Sequence, residues 1–118
     1  MNWLLVPALV GAGLMVLFGL GAAFRPEALA EVGVSYLSPL GRSEIRAVFG
    51  GMFVALGGAC LVLREPIVFA VVGAAWLGDV AVRLGSVVAD GVPPKQAIAV
   101  LGVGTAIGLA LVSGYWTA

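Results

Sequence analysis

An all-α integral membrane protein, with four transmembrane helices gathered into a four-helix bundle and a short interfacial helix between the first two, is the fold class this sequence predicts. Three observations predict it. Of the 118 residues, 62% are hydrophobic and only 10% are charged, where a soluble domain carries about a quarter charged residues. The apolar residues collect into four long runs, each near the roughly 20 residues that a bilayer span needs. Between the runs stand short segments rich in proline, glycine and charge, the punctuation of turns.

The first run, residues 3–24, carries no charge, and Pro7 stands near its start, where a helix tolerates proline. Its N-terminal flank lacks Lys and Arg and its length exceeds a signal-peptide core of about 7–15 residues, so it reads as a retained helix. Residues 25–43 connect it to the second run. Within them PEALAEVG opens on Pro26 and stops at Gly33, which predicts the interfacial helix. Ser43 is an N-cap type and starts the second span, 44–63. Arg64-Glu65-Pro66 makes a tight turn into the third, 67–89. The loop DGVPPKQ leads to the fourth, 97–116, which ends on the interfacial pair Tyr115 and Trp116. Residues 1–118 thus form a single transmembrane domain with both termini on one side.

Charge sets the orientation. Arg25, Arg42 and Lys95 lie in the first and third loops, while the opposite side holds only Arg64. The positive-inside rule then places both termini outside the cytoplasm. Lys plus Arg equals Asp plus Glu at 6 each, which excludes a basic nucleic-acid binder. With no His and the single Cys60, a Cys/His zinc site, His-ligated haem, an internal disulfide and His-based catalysis fall away. No metal and no cofactor is expected, and the lipid bilayer is the partner that composition implies.

Small residues line the spans. Gly50 and Gly57 repeat at seven, as do Gly51 and Gly58, and Gly104–Gly108 is a literal GxxxG. Such seams let helix backbones approach where lipid supplies no hydrophobic drive. Their plain use is packing within one bundle; the sharper one is a homo-oligomer through glycine-rich faces.

The third run contains ions that lipid disfavours. In WLGDVAVRLGSVVAD, residues 76–90, Asp79, Arg83, Ser86 and Asp90 fall at i, i+4, i+7 and i+11, on one helix face, with Trp76 a turn before them. A charge at bilayer depth costs several kcal/mol by most estimates, so this stripe must face protein or water. The second span begins on the same side and brings Glu44 and Arg46 toward it, with Phe53 further along. The expected site is a funnel at the cytoplasmic face. Asp79 and Glu44 are its acid/base candidates; Arg46, Arg83 and Asp90 hold a polar group; Trp76 and Phe53 form apolar wall. Plainer explanations stand beside each. Asp79 and Arg83 form a favourable intrahelical pair that neutralises itself, and Glu44 suits a helix N-terminus.

SEIRAVFGGMFVALGG, residues 43–58, followed by the Arg64 turn and by RLGSVVADG, residues 83–91, resembles the small four-span bacterial membrane proteins of domain-of-unknown-function family number 4345. The motif positions are Glu44, Arg46, Gly50, Gly51, Arg83, Gly85, Asp90 and Gly91, with Phe49 where tyrosine is expected. The resemblance implies four helices and a bacterial inner membrane, and carries no established activity. From the residues, the first expectation is binding or transformation of a lipophilic small molecule at the Asp/Arg cluster, with isomerisation, epoxide opening or cyclisation as the reaction types such parts serve. The alternative is a non-catalytic accessory or scaffold subunit. A small carrier or channel using Asp79 comes last.

Overall fold

The computed structural model describes residues 3–32 and 34–118, so the expected stop at Gly33 lies outside the described residues. Every regular element among them is helical. A 3₁₀ turn, Trp3–Leu5, runs into α1, Val6–Phe24. A 3₁₀ helix, Pro26–Val32, takes the place expected of the interfacial helix. The remaining helices are α2, Pro39–Leu63, α3, Pro66–Asp90, and α4, Pro94–Thr117. All four long helices are long and apolar enough to cross a membrane, and at 1.5 Å per residue the longest reach about 37 Å. The chain is an all-α four-helix bundle of the multi-pass membrane type.

The helix starts differ from the sequence expectation at α2. Ser38, not Ser43, is the cap: its Oγ accepts a hydrogen bond from Gly41 N–H at 3.1 Å. Pro39 follows in the first helical position, where its missing N–H costs nothing. Arg42, Ser43 and Glu44 are therefore helical. Pro66 and Pro94 open α3 and α4 in the same way. Gly91 ends α3 at φ 65°, a left-handed position that suits glycine. Arg64 takes a left-handed position, φ 51°, after α2, and its Nε donates to Leu61 O at 2.9 Å.

Within α2 the segment Ile45–Met52 is a π-helix. The wider winding, one more residue per hydrogen-bonded turn, rotates every later side chain relative to an α-helical wheel. That rotation was invisible in the apolar pattern.

Neighbour order decides where a site can form. α1 lies between α2 and α4, and α4 lies against the length of α3. The bundle is flattened, with extents of 45 × 30 × 18 Å. α2 and α3 meet near the Arg64–Glu65 turn and diverge from there, and the π segment of α2 hardly touches α3. The main core, including Ala12, Met15, Cys60, Phe69 and Leu111, fills the half nearer that turn. A second cluster, Ala22, Leu29 and Ile45, closes the other end between α1, the 3₁₀ helix and α2. The last stretch of α3 joins neither: from residue 81 to 90 no side chain is buried.

The GxxxG of α4 is occupied inside the bundle. A Cβ on Gly104 would meet Val80 Cγ2 at 2.9 Å, and one on Gly108 would meet Leu77 Cδ2 at 2.7 Å. These two glycines let α3 approach α4 closely, the plain use of the motif.

Candidate functional site

Helical spacing builds the polar stripe of α3. Asp79 and Arg83 stand one turn apart, and Arg83 Nε donates to Asp79 Oδ2 at 2.6 Å. Asp79 lies about 16 Å from the C-terminal end of its helix at 1.5 Å per residue, near mid-span. The pair is not enclosed, since the Arg83 and Asp79 side chains are 38% and 45% exposed. One turn further, Ser86 Oγ donates to Asp90 Oδ2 at 2.5 Å. Among the described residues, Asp79 Oδ1 and both Nη atoms of Arg83 have no hydrogen-bond partner.

Toward the Arg64 turn the stripe abuts an aromatic layer. The Trp76 and Phe53 rings have centroids 5.2 Å apart at 52°. Phe18 of α1 and Phe49 of α2 extend the layer at 5.7 and 5.8 Å from Phe53. Trp76 is fixed from α1 as well, its Nε1 donating to Met15 Sδ at 3.0 Å. The expected neighbours Trp76 and Phe53 are thus together. Phe49 could have been found from its i, i+4 relation to Phe53; Phe18 and Met15 carry no comparable signal, because span order does not say which faces of α1 and α3 meet.

Arg46 goes elsewhere. Its Nε donates to Ala23 O at 2.7 Å, a carbonyl in the last turn of α1 that the helix itself leaves unsatisfied. A cation here also complements the negative end of the α1 dipole. Close approach makes the bond possible, since a Cβ on Gly50 would meet Ala23 Cβ at 2.7 Å. The structure does not join Arg46 to the Asp79–Arg83 pair. The inward side of α2 at this level faces α1, where Gly50 packs on Ala23. Glu44 is exposed in α2 and bonds to neither Arg46 nor Arg83. The expected funnel of five ionisable groups is therefore divided into an α3 stripe and a separate basic end of α2.

At that basic end Arg42 Nη2 pairs with Glu27 Oε2 at 3.3 Å, bridging α2 to the 3₁₀ helix. The Glu27 carboxyl is held below its ordinary value of 4.5, first by a hydrogen bond from its own backbone and then by Arg42. No sequence signal announces this pair, whose members stand 15 positions apart.

Chemically, the α3 stripe offers a donor fork and an acceptor oxygen beside an aromatic face, with α2 drawn away in front of it. Asp79 and Glu44 do not share a hydrogen bond, so the two carboxylates form no acid/base couple as they stand. No protein-family model, curated protein or solved structure matches the chain.

Proposed function

We propose that this chain binds a lipophilic small molecule in the opening between α2 and α3, with the molecule's polar head on Asp79 and Arg83 and its body against Phe53 and Trp76. The observation that carries this reading is the Asp79–Arg83 pair, at mid-span yet 45% and 38% exposed. Charges left open to hydrocarbon at that depth are costly, and a seated polar head group would remove the cost. The free Oδ1 and Nη atoms favour a head with both a donor and an acceptor, such as an amide, a carboxylic acid or a hydroxy-ketone. Binding is favoured over chemistry, because Asp79 is paired with Arg83 through Oδ2 and has no second proton-transfer group bonded to it. If a reaction follows, Asp79 is its acid/base residue.

Native mass spectrometry of the detergent-solubilised chain tests this. Wild type is expected to retain a small hydrophobic adduct that the Asp79→Asn, Arg83→Leu double variant loses while remaining helical. Identical adduct spectra for the two would refute the reading.

A second reading, an accessory or scaffold subunit, draws on the outer face of α3. Positions Gly78 and Gly85 have no atom within 4 Å of an added Cβ, so a partner helix could seat there, beside the polar stripe. Self-association through that face belongs to the same reading. Membership of the resembled bacterial family, an inner-membrane location and termini outside the cytoplasm complete the proposal, the last supported by the loop charges. None of these assigns an activity.

A further inference from the structure

A second feature lies away from the α3 stripe. Where α1 ends and α2 begins there is an open groove of about 500 Å³, lined by Ala23, Phe24, Arg42, Ser43, Arg46 and Gly51 among others. We propose that it seats an anionic phospholipid, with the head-group phosphate between Arg42 and Arg46 and an acyl chain running along Phe24 and Gly51. The inference is independent of the ligand proposed between α2 and α3.

Charge is the first argument. Arg42 and Arg46 are one turn apart and no acidic side chain lines the groove. Glu27 engages one Nη of Arg42 and the Tyr36 side chain interacts with the same guanidinium, whereas Arg46 has no carboxylate partner among the described residues. The Nε bond to Ala23 O fixes the Arg46 stem and leaves its two Nη atoms for a ligand. Guanidinium groups so held bind phosphate oxygens in pairs. A zwitterionic head offers the same phosphate but adds a cation beside two arginines, so a net negative lipid is preferred.

Position is the second. The groove lies where the α1 span ends at Phe24 and the α2 span begins at Pro39, the level at which arginines near helix ends meet head groups. Shape is the third. Gly50 brings α2 onto α1, whereas an added Cβ on Gly51 meets nothing within 4 Å, leaving a trough. Phe24 lines it, 75% exposed. A free phosphate would use only the arginines; a lipid uses the trough as well.

The full chain in an uncharged detergent, titrated with phosphatidylglycerol, phosphatidylcholine or inorganic phosphate and read by native mass spectrometry, tests this. Phosphatidylglycerol is expected to bind more tightly than phosphatidylcholine. Arg46→Gln should weaken phosphatidylglycerol about five-fold, the effect of one arginine near an anionic surface, and Arg46→Lys, which keeps the charge but not the fork, should restore only part of it. Gly51→Leu, which fills the trough into open space and keeps both charges, should weaken both lipids. Arg64→Gln, at the opposite end of the bundle, should change nothing. Equal binding of the two lipids would overturn the proposal, as would a Gly51→Leu protein that binds like wild type. Competition by inorganic phosphate with phosphatidylglycerol while Gly51→Leu is silent would assign the groove to a free anion instead.

Discussion

Replacing Gly57 and, separately, Gly58 by alanine sets two adjacent positions of one α-helix against each other. A Cβ on Gly57 would lie 2.8 Å from Ala12 O, 2.9 Å from Val16 Cγ2 and 3.1 Å from Met15 Cβ. Carbon atoms in comfortable contact stand about 3.5–4.0 Å apart. The first obstacle is backbone, so α1 and α2 must separate instead of a side chain swinging aside. Overpacking of this kind costs about 1–3 kcal/mol. Beside it, a Cβ on Gly58 meets nothing within 4 Å. Both variants gain the same helix propensity over glycine, about 1 kcal/mol, and that gain cancels when they are compared. The expected gap is therefore about 1–3 kcal/mol, with Gly58→Ala at or above wild type and Gly57→Ala below it. Unfolding in mixed micelles of rising denaturing-detergent fraction, followed by circular dichroism, reads the difference. Equal stability of the two variants would refute the α1–α2 seam and with it the route by which Arg46 reaches Ala23.

Other consequences can be measured alongside. The Glu27 carboxyl should titrate below 4.5 by NMR, and Arg42→Gln should move it upward. Because the folded value is the lower one, the stabilisation Glu27 contributes is present above 4.5 and is lost as pH falls through the folded value. Ser38→Ala removes the side-chain acceptor for Gly41 N–H and should cost about 1 kcal/mol, seen as a lower melting temperature. Trp76→Phe keeps the aromatic layer but loses the bond to Met15 Sδ; a destabilisation of about 0.5–1.5 kcal/mol is expected, and a value near zero would mean that the indole N–H contributes nothing.

The spans were legible because apolar length is written plainly in the chain, and Pro66 and Gly91 mark ends by backbone chemistry. The fourth helix starts at Pro94 and not at the expected 97, because a proline in the first helical position carries the polar Lys95 and Gln96 into its first turn. The start of α2 was not legible. Arg42 read as loop and Ser43 as the cap, although Ser38 and Pro39 supplied an earlier and complete start. The α3 stripe was legible from spacing alone, and Asp79–Arg83 and Ser86–Asp90 both form as i, i+4 pairs. What spacing could not say is which helix each face meets. Arg46 shared a wheel face with Gly50, and Gly50 does pack closely, but against Ala23 of α1 and not toward α3. The π segment and the divergence of α2 from α3 depend on tertiary contacts that no local pattern encodes.

Photo-crosslinking from position 86 tests the central claim most directly. With a benzophenone amino acid replacing Ser86 on the α3 stripe, irradiation in native membranes should yield an adduct of small-molecule mass, and adding Asp79→Asn should abolish it. A protein-sized adduct at that position, or a small adduct indifferent to Asp79, would contradict the account.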